Sequence, residues 1–398
     1  VTENGLVIAE INHALCNLKK WMRPQRKCTN LVNFLSSSFV MREPLGVVLL
    51  IAPWNYPFQL LMKPLIAAIA GGNCVVLKPS EHAPATAAVM KAMVEEIFPP
   101  HYILYVEGEG KSVLPQMMQQ FVFDHVFFTG SPAVGKEIYK MAAENLVPVT
   151  LELGGKSPCV VDADADVVTT AKRIAVTKFT NAGQMCVAPD YVLVHRSQKA
   201  ALVEELKKYI IQFFGEDAAA HYNYCKIINQ NQFDRIVKYL DDGKVIIGGN
   251  YNRSKLFIAP TLLEEVRLQS AVMNEEIFGP ILPIIAFDEK QQALEIIEAN
   301  KNPLAFYIFS AKRQNAMQWL RDIASGGACI NNASWHFANH YLPVGGRGKS
   351  GTGNYHGKYG FDTFTHAKAV LKSPNWFDPK LKYPPFKGRL NLFKKIIR

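Results

Sequence analysis

Cysteine is scarce and never paired by spacing. The chain has seven (Cys16, Cys28, Cys74, Cys159, Cys186, Cys225 and Cys329), an odd number with no C-x-x-C. That argues against a disulfide scaffold or a structural zinc site and predicts a reducing, cytoplasmic compartment. Long apolar runs are missing as well. The longest, Leu45–Trp54 (LGVVLLIAPW), is about half of the roughly 20 residues a spanning helix needs, so a soluble protein is expected. There is no signal-peptide pattern at the start, no internal repeat or low-complexity tract, and no nucleic-acid-binding module.

What is present is the composition of an ordinary globular protein: 398 residues, 49% hydrophobic and 20% charged. This excludes a mainly disordered or fibrous chain and suggests two or three domains. Forty-four Lys and Arg against 34 Asp and Glu leave a net charge of +10, unevenly spread. Lys19, Lys20, Arg23, Arg26 and Lys27 cluster early, and Lys380 to Arg398 holds seven basic residues and no acid. Such a basic, partly apolar tail has the chemistry for weak contact with a membrane surface, although a solvated terminus is the simpler reading. The chain opens at Val1 already in a helical pattern of Leu6, Ile8, Ile11, Leu15 and Leu18, and a further segment upstream is expected.

From Leu45 to Leu151 short β-branched runs alternate with helical stretches. Strands are predicted at Gly46–Ala52, Asn73–Leu77, Tyr102–Val106, His125–Thr129 and Val149–Leu153, with helices including Ala85–Phe98 and Ala133–Asn145. This is the signature of a parallel, doubly wound sheet that binds a nucleotide at its strands' carboxyl ends. A second α/β unit follows, joined near Glu152. Its predicted helices are Asp166–Thr180, Lys199–Phe214, Asn231–Leu240, Gln291–Asn300 and Asn315–Ala324; its strands are Tyr191–Val194, Lys244–Ile247, Ile281–Phe287 and Ala305–Ser310. Two segments fit neither unit: a hairpin within Arg23–Arg42 and an isolated strand at Phe361–Leu371, both suited to pairing with another chain.

Two motifs invite readings that their context does not support. Gly346–Gly351 (GRGKSG) matches G-x-G-x-x-G but neither follows a predicted strand nor opens a helix, so it reads as a flexible glycine loop. His336 and His340 are four apart, yet they lack the Glu of H-E-x-x-H and lie among loop residues, so no metal site is expected. Stronger signals come as a set. Asn55, in PWNYP at a strand's carboxyl end, can donate to an oxyanion, though alone it reads as a turn residue. Lys78 and Glu81, in LKPSE, suit a ribose or phosphate, or merely pair with each other. Gly130, Ser131 and Gly135 form a small-residue turn leading into a helix, which suits a pyrophosphate. Glu152, flanked by Leu151 and Leu153, would be desolvated and become a usable base. Cys186, in NAGQMC, needs an electropositive, partly exposed site to ionise; a single cysteine is more often a small buried hydrophobe.

Together PWNYP, LKPSE, FTGS-x3-G, LELGGKSP, GQ-x-C and EEIFGP (Glu275–Pro280) resemble the aldehyde dehydrogenase superfamily in its own order, from about Leu45 to Leu371. The strings VTLELGGKSPC, CVAPDYVLVH, EEIFGPILPI and GNYHGKYGFDTF are similar to its class 3 branch. The resemblance implies an α/β fold: a doubly wound, Rossmann-like cofactor domain (residues 1–22 and 43–151), an α/β catalytic domain (152–350) and a small β oligomerisation segment (23–42 and 361–374), followed by the basic tail (375–398). It also implies NAD(P)-dependent oxidation of medium or long aliphatic or aromatic aldehydes, in a homodimer.

By the same resemblance Cys186 is the nucleophile, Asn55 an oxyanion donor with the backbone N–H of Cys186, and Glu152 the activator of the deacylating water. Lys78 and Glu81 hold the adenosine ribose, Gly130, Ser131 and Gly135 lie along the phosphates and nicotinamide side, Glu276 grips the nicotinamide ribose, and Phe278 packs beside it. NAD is the expected cofactor, with NADP accepted too, because the Glu81 carboxylate would repel a 2′-phosphate. The chain departs from the family pattern at Val344, Arg347 and Met185, all toward the substrate side. Two rival readings are a cysteine hydrolase and a catalytically silent protein on the same fold. The first leaves LKPSE, FTGS and EEIFGP unexplained, and the second leaves Cys186, Glu152 and Asn55 without a role.

Overall fold

A computed structural model describes residues 2–396. The first sheet has six strands, in the order Gly351–Thr352, Val149–Leu153, His125–Gly130, Val47–Ile51, Cys74–Lys78 and Ile103–Tyr105. All pairs are parallel except the one made by Gly351–Thr352. Val48, Leu49, Leu50, Val126 and Phe127 are buried, as strands covered by helices on both faces require, which is why they read as unbroken apolar runs. The chain winds outward from Val47–Ile51 in both directions. The crevice at that reversal lies between the ends of Val47–Ile51 and His125–Gly130, with Asn55 and Gly130 at its mouth. Proline opens the helices Pro57–Ala70, Pro84–Ile97 and Pro132–Ala143, where its missing N–H costs nothing. Ser131 caps the last by accepting from the Val134 N–H.

The second sheet has seven strands, in the order Lys244–Ile247, Thr261–Glu264, Ile281–Phe287, Tyr191–His195, Pro158–Val161, Ala305–Phe309 and Gly327–Ile330, antiparallel only at the first pair. Three of these strands escape the sequence reading: Pro158–Val161, Thr261–Glu264 and Gly327–Ile330. Each has four residues and is too short to show a period. The helix expected at Asn231–Leu240 ends at Val237 and gives way to a 3-10 turn, Lys238–Asp242.

The third sheet is antiparallel: Gln25–Lys27, Ser37–Pro44 and Thr365–Lys372. The Arg23–Arg42 hairpin is present, but Phe361–Leu371 is not an isolated strand. Gly357–Thr363 is a helix, and Thr365–Lys372 pairs along the whole of Ser37–Pro44. The helix forms there because Gly360 lets it approach the Ala67 side chain and Phe361 is buried beside Trp21. The glycine loop is another correction. Gly346 and Gly351 pack so closely on the backbones of Ser350 and Leu151 that a Cβ on either would overlap them, and Gly351 pairs with Glu152. It is a clamp on the strand that carries Glu152. In the tail Leu390–Ile396 is helical, and residues 397 and 398 lie outside the described residues. No helix among the described residues is long and apolar enough to cross a membrane.

One buried amide ties the first and third sheets together. Asn73 accepts from the N–H groups of Leu45 (2.8 Å) and Gly46 (3.0 Å) and donates to Ala68 O (3.0 Å) and Phe364 O (2.8 Å). Asn73→Ala strands several buried backbone groups, and chemical denaturation should report a loss of about 3 kcal/mol; an unchanged midpoint would refute this account.

Candidate active site

Cys186 is delivered by a stretch of strained backbone. The helix Val167–Phe179 stops, and Asn181 (φ 52°), Ala182 (φ 50°) and Gly183 (φ 73°) follow in left-handed conformation. Ala182 tolerates this poorly. A Cβ on Gly183 would strike Gly279 O, so the loop that carries Cys186 is wedged against the EEIFGP segment. Asn55 meets this loop from the other half: its Nδ2 donates to Gln184 O (3.1 Å), while Asn181 Nδ2 donates to Asn55 O (3.0 Å). An amide nitrogen has two N–H groups, so Asn55 keeps a second donor. Gln184 is fixed in turn by donating to Asn181 O and Lys226 O and accepting from the Ile228 N–H.

Two cavities meet at this point. One, of about 260 Å³, is lined by Asn55, Gly130, Ser131, Glu152, Cys186, Glu276 and Phe278, seven of the ten expected site residues. The other, of about 380 Å³, is largely apolar, with Tyr56, Met185, Val187, Trp335 and Phe337 in its wall. Asn55 and Cys186 border both. Lys78, Glu81 and Gly135 stand outside the lining of either. Lys78 is buried at the end of its strand and donates to Pro79 O (2.6 Å) and Glu81 (3.3 Å), and Glu81 also accepts from the Gly110 N–H (3.0 Å). The pair runs from a buried cation to an exposed carboxylate. Its hydrogen bonds and the Lys78 charge hold the Glu81 carboxyl below its ordinary pKa against the opposing effect of burial, the largest single influence. Gly135 packs under Leu153 and Phe128 in the first turn of its helix, where a Cβ would clash.

The electrostatics of the site favour neutral acids. Burial raises Glu152, 5% exposed, well above the usual carboxylate range, and its Oε1 has no hydrogen-bond partner. Burial, then the Asp190 charge, raises Glu276 to about 8, although the Gly155 N–H donates to it. Burial also pushes the Cys186 thiol to about 12, helped by Glu276 and Glu152, while the N–H groups of Cys186 and Val187 point toward it and pull the other way. The site thus lacks the electropositive surroundings that a thiolate needs, and burial favours the thiol form of Cys186.

The residues fit a dinucleotide. A Cβ on Gly154 would overlap the Glu276 carboxylate, which thus approaches bare backbone. Thr129 Oγ1, beside Gly130 in the first cavity, is buried without a partner. Sequence reasoning missed the groups that hold this wall. Arg235 donates to Glu276 O (3.1 Å) and Ile277 O (2.8 Å), and Asp190 accepts from Lys156 (2.6 Å) and the Ile277 N–H (3.1 Å). An Asp within CVAPDY that has to face a buried lysine was the only trace of them in the sequence. No histidine lines either cavity. His336 instead contacts Cys329 (3.3 Å), and His340 stacks on His13 at 4.3 Å between ring centres.

A fold of this topology, with a cysteine between a dinucleotide-shaped crevice and an apolar channel, defines a nicotinamide-dependent dehydrogenase of aldehydes. The sequence model described as the aldehyde dehydrogenase family matches residues 8–370, and the chain belongs to that family. It is 42% identical over 399 residues to the 4,4'-diaponeurosporen-aldehyde dehydrogenase of Staphylococcus aureus, covering 100% of this chain and 86% of the relative. It is 44% identical to human aldehyde dehydrogenase family 3 member B1, covering 97% of this chain and 82% of that one. Among solved structures, a substrate-bound state of Staphylococcus aureus AldH superposes with a TM-score of 0.96 at 42% identity, covering 100% of this chain and 87% of the other. Similar structures include complexes with NAD+ and with NADP, so the cofactor is a nicotinamide dinucleotide and the activity is aldehyde oxidation. The hydrolase and silent-protein readings are not favoured.

The thiol pKa makes a direct prediction. In cofactor-free protein, iodoacetamide labelling of Cys186, followed by peptide mass spectrometry, should climb roughly tenfold per pH unit from about 7 to 9 without levelling. A plateau below about pH 8 would show a lowered pKa and contradict the burial argument.

Proposed function

We propose that the chain oxidises medium or long aliphatic or aromatic aldehydes with NAD through a thioester on Cys186. The observation that carries this reading is that Cys186 and Asn55 border both the dinucleotide crevice and the apolar channel. An aldehyde in the channel presents its carbonyl carbon to the Cys186 sulfur, and the thiol proton passes to solvent water as the C–S bond forms. The free Asn55 N–H and the Cys186 backbone N–H stabilise the developing oxyanion. The bound nicotinamide ring supplies hydride acceptance. Glu152, deprotonated only above its raised pKa, takes a proton from the water that releases the acid, so the hydrolytic limb strengthens as pH rises. Glu276, Phe278, Gly130, Ser131 and Gly135 would hold the nicotinamide half, and Lys78 and Glu81 the adenosine ribose.

The ionised, doubly held Glu81 carboxylate favours NAD over NADP, because a 2′-phosphate beside it would be repelled. The channel wall of Tyr56, Met185, Val187, Trp335 and Phe337 supports apolar substrates, as does the name of the diaponeurosporen-aldehyde relative. The edge strand Thr365–Lys372 supports a homodimer, and the seven free cysteines suit a reducing, cytoplasmic setting.

Stopped-flow measurement of the reduced cofactor with a medium-chain aldehyde should show steady turnover that Cys186→Ala abolishes. Glu152→Gln should leave one burst per site and lower steady turnover by about a hundredfold or more; steady turnover at the parent rate would remove Glu152 from the mechanism. Short polar aldehydes should show a higher KM than octanal or benzaldehyde, and light scattering should give a dimer. A monomer refutes the assembly reading.

A further inference from the structure

The helix that follows PWNYP has no cap of its own. Tyr56, the N-cap of Pro57–Ala70, makes no side-chain bond to it, and the first turn holds no acid. The first N–H groups of a helix have no partner within it. Pro57 has no N–H, and the Leu60 N–H already donates to Tyr56 O (3.0 Å). That leaves Phe58 and Gln59. Both are taken by one oxygen from far upstream: Glu3 Oε2 accepts from the Phe58 N–H (2.9 Å) and the Gln59 N–H (3.0 Å). Glu3 stands at the start of the helix Asn4–Trp21, where its carbonyl accepts from the Val7 N–H (3.1 Å). That helix is anchored: Val7, Ala14 and Trp21 are buried, and Glu10 accepts from the Gly357 N–H (2.5 Å). A docked element therefore presents the Glu3 carboxylate.

The residues just ahead of the capped turn both reach the Cys186 loop. Asn55 donates to Gln184 O (3.1 Å), and the Tyr56 hydroxyl donates to Met185 Sδ (3.4 Å). The helix turn starts from Tyr56, so fraying there shifts both side chains. Gln59 is buried, and its N–H would lose its partner without reaching water. We propose that Glu3 is a positioning residue for aldehyde oxidation: it caps Pro57–Ala70 from another helix and so holds Asn55 in register with Cys186. This rests on Asn55 being the oxyanion donor. Such a donor stabilises the transition state best when it is fixed before the reaction begins. Thr2 and Leu6, beside Glu3, line the apolar channel, so a purely wall-forming role has to be told apart. A lost wall weakens aldehyde binding and raises KM, whereas a displaced donor lowers kcat.

The test is single-turnover oxidation of octanal with enzyme in excess and NAD saturating, followed by the absorbance of reduced cofactor. Glu3→Ala should slow this step about tenfold with KM unchanged. Glu3→Gln keeps a side-chain carbonyl that accepts, and should retain more than about half of the parent rate. The rate constant is insensitive to any fraction that fails to fold, provided folded enzyme stays in excess. Asn55→Ala should slow the step about a hundredfold, and adding Glu3→Ala to it should cost nothing further, because the effect runs through Asn55. Hydrogen exchange in peptides spanning Phe58 and Gln59 should quicken in Glu3→Ala and not in Glu3→Gln. A parental rate in Glu3→Ala, losses that multiply in the double variant, an effect confined to KM, or unaltered exchange would each overturn the role of Glu3. An unaltered rate in Asn55→Ala would instead remove Asn55 as the donor, and the proposal with it.

Discussion

The site depends on a reciprocal clasp between amide side chains and backbone carbonyls. Asn181 donates to the backbone of Asn55, and Asn55 donates to the backbone of Gln184, two residues before Cys186. One partner belongs to the turn after a strand of the first sheet; the others belong to the loop after a helix of the second unit. Their two bonds hold a turn and a strained loop, residues 55 and 186, against one another across the boundary. Everything downstream follows from that register. Asn55 and Cys186 border the same two cavities, one lined by Gly130 and Gly154 and the other by Trp335 and Phe337. The left-handed stretch Asn181–Gly183 is the conformational cost of the arrangement.

Low polarity around the site has a uniform consequence. Cys186, Glu152 and Glu276 are all driven toward their protonated forms by burial. The resting pocket therefore avoids three adjacent anions, which would repel one another in a medium that screens poorly. A second buried charge cluster lies behind it, where Asp190 receives Lys156 at 2.6 Å and stands 4.0 Å from Lys178. Lys178 Nζ has no hydrogen-bond partner, and burial lowers its pKa to about 8. Because Asp190 also accepts from the Ile277 N–H, this cluster sets the position of the neighbouring Glu276. Surface pairs such as Arg196–Asp288 carry no comparable role, since water screens them.

The parallel strands around Asn55, Lys78 and Gly130 were legible because they are continuous apolar runs with glycine and proline at their ends, and strand ends mark a ligand crevice. The raised pKa of Glu152 was legible for the same reason, as a carboxyl between two leucines on a buried strand. Four-residue strands such as Pro158–Val161 were not, since so short a run buried on both faces has no period to read. The glycine loop was misread for a deeper reason. Glycine signals either freedom or close approach, and only the neighbouring backbones of Leu151 and Ser350 reveal which one applies.

The order of motifs and the alternation of strand and helix were determined by sequence alone, because apolar periodicity and turn chemistry are local. Tertiary structure decided what the groups of the site are at rest. A thiol's pKa depends on how much water and which charges surround it, and both are supplied by residues far away in the chain, such as Glu276 beside Cys186. It likewise decided that Asn55 and Cys186 stand where two cavities meet, since a cavity is the space left between elements and no single segment encodes it.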